Sequence, residues 1–123
     1  MRYLGVDFGL RKIGLATSEG EIAAPLKVLE VSSFKDALEK IKKEAVSFDR
    51  IIIGKPDGGV GKKVMKLVNY LKRENIEVES WDETLSSQKA LDLMIKTGIG
   101  KKKRGEEDAY SAALILQDYL DNL

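Results

Sequence analysis

The chain opens on an alternating pattern. In "RYLGVDFG" Leu4, Val6 and Phe8 fall on one side of an extended backbone, and Tyr3, Gly5 and Asp7 fall on the other. That is the period-two signature of a strand. A second apolar run covers residues 13–17, after the "LRK" of a tight turn that follows Gly9, and a third covers about residues 24–31. Connections this short make the three strands antiparallel neighbours. The spacing then becomes helical. Phe34, Ala37, Leu38, Ile41 and Ala45 recur on one helix face, with Ser32 or Ser33 as N-cap. "RIIIG" is a β-branched run closed by glycine, as expected of a strand buried on both faces. Val60, Val64, Leu67, Val68 and Leu71 mark a second helix. "IEVESW" is a fifth strand with polar residues on alternate positions, hence an edge. Leu85, Ala90, Leu91, Met94 and Ile95 mark a third helix, and Ala109, Ala112, Ala113, Leu116 and Leu120 form the stripe of a last one.

The resulting order is βββαβαβαα. An antiparallel meander is followed by right-handed crossovers, within one domain spanning residues 1–123. This is the order of the ribonuclease H-like fold: α/β, with a mixed five-stranded sheet and helices on both faces. A generic three-layer α/β domain is the competing architecture. A chain of 123 residues can build such a core without a disulfide or a structural metal.

Composition narrows the chemistry. Lys+Arg number 21 against 20 Asp+Glu, so net charge carries no information about a polyanionic partner, and only local clusters can. No apolar run is long enough to span a membrane, and the expectation is a soluble cytoplasmic protein. The chain has no cysteine and no histidine. Thiol nucleophiles, Cys/His zinc sites, Ser-His-Asp catalysis and a histidine general base are all excluded. Chemistry is left to carboxylates, lysines, hydroxyls and hard metal ions.

Three acidic positions stand out. Asp7 ends an otherwise apolar strand, where a lone carboxylate is costly to bury and needs a cation or hydrogen-bond donors. Pairing with Arg11, Lys12 or turn amides would satisfy it as well as a ligand would. In "WDETLSS", Asp82 and Glu83 lie where a strand gives way to a helix, the side on which open α/β sheets bind ligands. Helix capping is the alternative role there. In "GEEDAYSAALILQ", Glu106, Glu107 and Asp108 open the last helix. At about 100° per residue Asp108 falls beside the apolar stripe and Glu107 points away. If the three groups meet at one sheet edge, their mutual repulsion calls for cations. An all-oxygen donor set then selects Mg²⁺ or Mn²⁺. Two such ions about 3.5–4 Å apart suit phosphodiester cleavage. Basic clusters at Arg11 and Lys12, at Lys62 and Lys63 on a glycine-rich loop, and at Lys101, Lys102, Lys103 and Arg104 are candidate contacts to backbone phosphates or, equally, solvated charge runs.

"GVDFGLRKIGLATSE", "PLKVLE", "RIIIGKP", "VESWDETLSSQKA" and "EDAYSAALILQDYL" together resemble the YqgF family, nearly end to end. The family is described as a pre-16S ribosomal RNA nuclease and as Holliday-junction-resolvase-like. The resemblance implies a ribonuclease H-like fold and a Mg²⁺- or Mn²⁺-dependent endonuclease acting on the 5′ end of pre-16S rRNA, with structured DNA as the other nucleic-acid partner. It puts the catalytic and metal-binding acids on Asp7, Glu83 and Asp108, with Asp108 aligned through its spacing to Ile115, Leu116 and Gln117. Arg11, Lys12 and Lys101 to Arg104 would hold the nucleic-acid backbone. The carboxylate that follows the fourth strand in other ribonuclease H-like nucleases would fall on Asp57, a rival to Glu83. Two departures stand out: Thr84 occupies the position of a family arginine, and the loop "GKPDGGVGKK" is short. They motivate a second expectation, a nucleic-acid or ribosome-precursor binding module without chemistry. A third, an ATPase resembling actin-like proteins through a "DFGLRKIG" phosphate hairpin, needs a second lobe that this length does not supply. The expected assembly is a monomer or homodimer.

Overall fold

In the computed structural model, which describes residues 1–82 and 107–123, the opening alternation becomes a meander of three antiparallel strands. These are β1 (Arg2–Asp7), β2 (Lys12–Glu19) and β3 (Ile22–Glu30). The β-branched run forms β4 (Arg50–Lys55), and "VESWD" forms β5 (Val78–Asp82). The five strands make one sheet in the order β3-β2-β1-β4-β5, with β1, β4 and β5 mutually parallel. The mixed sheet expected of the ribonuclease H-like fold is therefore present, and β5 lies at its edge as its polar alternation implied.

Helices α1 (Phe34–Ala45) and α2 (Gly59–Arg73) cover one face, and α3 (Glu107–Asp121) covers the other. The alternation in β1 decides which side chain meets which layer. Leu4, Val6 and Phe8 join Ile51 and Ile53 against α1 and α2. Tyr3 and Ile52 meet Ala112, Leu116 and Tyr119 of α3. Burying the apolar stripes of both layers stabilises the fold by roughly 25 cal/mol per Å² of apolar surface removed from water, the main force holding helices to sheet.

Local chemistry sets the helix ends. Ser33 caps α1, its hydroxyl accepting the Asp36 N–H at 3.0 Å, while the Asp36 carboxylate accepts the Ser32 N–H at 2.9 Å. The Ser32 amide is also what chiefly holds the Asp36 carboxyl below the usual carboxylate range. At the end of α2, Asn75 takes a left-handed conformation with φ 62°. Its N–H bonds Lys72 O and the Ile76 N–H bonds Leu71 O, the paired closure of a Schellman motif. One expectation is corrected. Lys62 and Lys63 are in the first turns of α2, not on a loop. The flanking glycines read as breakers, but the stripe from Val60 to Leu71 outweighs their helix cost. The expected helix around residues 85–95 lies outside the described residues.

Candidate active site

Asp7 is the last residue of β1, at the carboxyl end of the central strand, and is half-buried. Its registered partner on β2 is Gly14. A methyl group on Gly14 would collide with the carbonyl of Asp108 and come within 2.8 Å of Ala109 N. The first turn of α3 thus rests on the β2 backbone directly opposite Asp7. Gly5, two residues earlier on the same face of β1, is also close-packed, though less tightly: a methyl there would lie 2.8 Å from Leu116 Cβ and 3.0 Å from Ala112 O. Two glycines on paired strands and the alanines of α3 let the helix backbone approach the sheet this closely. The consequence is chemical: Asp7 and Asp108 share one corner of the molecule.

Gln117 and Trp81 hold α3 in that position. The Gln117 side-chain oxygen accepts the Ala23 N–H at 2.9 Å, and its nitrogen donates to Glu21 O at 2.9 Å. This ties α3 to the β2–β3 turn. The Trp81 indole donates to Asp118 Oδ2 at 2.8 Å and packs edge-on against Tyr119, with ring centroids 5.3 Å apart. This ties α3 to β5. The "ILQ" spacing that aligned Asp108 in the sequence therefore includes a residue whose bonds fix the helix. In the sequence Gln117 serves only to set the register of Asp108, and Gly14 carries no site signal of its own. A glycine inside the β2 pattern signals that another backbone comes close, but not which one.

Burial pushes the Asp108 carboxyl above its ordinary value, with Lys12 pulling it back and Glu107 adding to the rise. Lys12 thus lies within electrostatic reach of Asp108, so one of the basic residues expected to hold phosphate stands at the carboxylate corner. Arg11 and Lys12 are exposed and, with Leu10, Glu30 and Ser32, line a cleft of about 500 Å³. A desolvated carboxylate beside a second one, with no histidine or cysteine in the chain, is a donor set that fits a hard divalent cation.

The remaining site positions are distributed differently. Trp81 packs on the α3 face of β5, so its neighbour Asp82 is on the opposite face, away from that corner. Asp57 is exposed and opens onto a cavity of about 340 Å³ lined also by Lys55, Pro56 and Lys62; neither Asp7 nor Asp108 lines it. Glu83, Lys101, Lys102, Lys103 and Arg104 lie outside the described residues. Among the described residues no cluster of three metal-ligating side chains forms, and no helix is long and apolar enough to cross a membrane.

Comparison with known proteins agrees with this architecture. A protein of Thermoanaerobacter pseudethanolicus assigned as a pre-16S rRNA nuclease is 38% identical over 135 residues, covering 99% of this chain and 97% of the relative. One of Syntrophus aciditrophicus with the same assignment is 35% identical, covering 98% of this chain and 89% of the relative. Among solved structures, the fowlpox virus Holliday junction resolvase superposes with a TM-score of 0.69 at 12% identity, covering 99% of both chains. Thermus thermophilus RuvC, solved with a Holliday junction substrate, superposes with a TM-score of 0.58 at 17% identity, covering 99% of this chain and 96% of the other. At these identities the structural likeness speaks for the fold. The family model for RuvX, described as Holliday junction resolvase, matches residues 1–122, and the chain belongs to that family.

Proposed function

We propose that this chain is a divalent-metal-dependent endonuclease that trims the 5′ end of pre-16S rRNA in the bacterial cytoplasm. The observation that carries the reading is the corner formed by Asp7, Gly14 and Asp108, where α3 presses onto the end of the central strand. The assignment shared by relatives 38% and 35% identical over nearly the whole chain supports rRNA as the substrate.

In this reading Asp7 and Asp108, with Glu83 as third ligand, hold Mg²⁺ or Mn²⁺. The bound metal supplies an activated water and charge stabilisation for the leaving oxygen. The residues of the chain have separate tasks. Gly14 sets the separation of the two carboxylates by seating the Asp108 backbone. Gln117 and Trp81 prevent α3 from sliding. Lys12 offsets carboxylate charge before substrate arrives, and Arg11 and Lys12 hold the phosphate backbone. Lys101 to Arg104 extend that contact.

The test is cleavage of a pre-16S rRNA fragment with and without Mn²⁺, comparing wild type with Asp7→Asn. The reading expects cleavage that depends on metal and is lost in the variant. Equal activity in the two proteins would overturn it. The family's description favours a second reading, cleavage of four-way DNA junctions. A junction substrate in the same assay, cut faster than the rRNA fragment, would favour that alternative.

A further inference from the structure

A cavity beside Asp57 follows the end of β4, a small recess lies at Phe8 and Gly9 just after β1, and the Arg11–Lys12 cleft adjoins that recess. The cleft and the recess share Leu10. The recess is lined by Lys63 and the cavity by Lys62, consecutive residues of α2, and Lys55 at the end of β4 completes the series. Together the three openings are lined by Arg11, Lys12, Lys63, Lys62 and Lys55 against two carboxylates, Glu30 and Asp57.

The basic residues of the two helices on this face are arranged differently. On α1, Lys40 pairs with Asp36 at 3.3 Å and Lys42 with Glu39 and Glu74 at 3.5 and 3.1 Å. Helix α2 carries five basic residues in "GVGKKVMKLVNYLKR" and no acidic one. Among the described residues no carboxylate pairs with Lys55, Lys62 or Lys63, and all three are exposed. Unneutralised lysines lining successive recesses beside a phosphodiester-cleaving corner match a strand of backbone phosphates in charge and layout.

We propose that Lys55, Lys62 and Lys63 form a phosphate-backbone site on the α2 flank. It holds the nucleic acid on the side of the sheet opposite α3 and continues the Arg11–Lys12 contact past Asp7. The proposal rests on the nuclease reading for its ligand, the phosphodiester backbone, and adds a binding surface that reading does not require.

The probe is a short labelled RNA duplex of arbitrary sequence, bound in EDTA so that no cleavage occurs, over a range of salt concentrations. The triple variant K55Q/K62Q/K63Q is compared with wild type, with the charge-preserving K55R/K62R/K63R, and with K72Q/R73Q at the far end of α2. Loss of three contacts lowers the slope of log affinity against log salt by about 2 to 3 and weakens binding on the order of tenfold or more at moderate salt. The arginine variant and the far-end control bind as wild type. All substitutions are at exposed positions, and a thermal melt of each variant checks that it folds. A triple variant with wild-type slope and affinity overturns the proposal and leaves the nuclease reading standing, as does equal loss in K72Q/R73Q. Wild type that neither binds the duplex nor cleaves any substrate overturns both.

Discussion

Replacing Gly14 by alanine puts a methyl group where the Asp108 carbonyl now lies. Every atom in the way is backbone: Asp108 O, Asp108 C, and Ala109 N at 2.8 Å. No rotamer change clears the space, so the first turn of α3 must lift, by on the order of 1 Å at atomic radii. Overpacking of this kind costs about 1–3 kcal/mol. Removing a strand glycine returns roughly 0.5–1 kcal/mol through the unfolded chain. The net is a loss of up to about 2.5 kcal/mol, which at this chain length lowers Tm by as much as about 10 °C. Activity falls further, because a displacement of about 1 Å at a catalytic group costs roughly a hundredfold. Gly5→Ala is the comparison. Its nearest atom is Leu116 Cβ at 2.8 Å, farther along α3, so it destabilises with a smaller loss of cleavage. Unfolding can be followed by the fluorescence of Trp81, the single tryptophan, which is bonded to α3 through Asp118. The assay pairs that melt with metal-dependent cleavage of the rRNA fragment. A Gly14→Ala protein with wild-type Tm and wild-type activity would refute the seating of α3 on β2.

With metal removed by EDTA, Asp108→Asn raises stability near neutral pH; in Mn²⁺ the same variant has lost cleavage. Burial holds the Asp108 carboxyl above its ordinary value in the folded protein, so the stability it contributes is greatest when protonated and is lost as pH rises through the raised value. The variant's advantage in Tm should therefore be present at pH 7 and fade as pH falls into the ordinary carboxylate range; a variant less stable than wild type at pH 7 in EDTA would contradict this sign. Gln117→Ala leaves the Ala23 N–H and Glu21 O without their side-chain partner, costing about 0.5–1.5 kcal/mol, measured as a lower urea midpoint with earlier loss of the Trp81 signal. Unchanged unfolding would mean that these bonds do not hold α3.

The sheet was legible in the sequence because burial imposes a period of two. The alternation of Leu4, Val6 and Phe8 with Tyr3, Gly5 and Asp7 separates the two cores, and the closed run of Ile51 to Ile53 marks a strand covered on both sides. The last helix was legible through its small and apolar stripe. What local pattern could not carry were contacts between distant segments. Gly14 lies 94 residues before Asp108 in the numbering, and periodicity along the chain holds no information about which backbone will press on it. The lysines of α2 were misplaced for a related reason: Gly58, Gly59 and Gly61 read as a loop, whereas Gly61 is where α2 packs on the Pro56 carbonyl. Asp57 and Glu83 competed for one role because both follow strands that end at the same edge. Asp57 proves to line the α2-side cavity, and Glu83 is outside the described residues.

The proposed function requires Asp7 and Asp108 to hold a hard divalent ion jointly. Crystals soaked in Mn²⁺ and examined by anomalous scattering test it most directly. The account predicts an ion with oxygen ligands from both Asp7 and Asp108 at about 2.1 Å, and the same soak of Asp7→Asn crystals should show it lost or greatly weakened. Manganese bound in the Asp57 cavity, with the Asp7–Asp108 corner empty, would contradict the account.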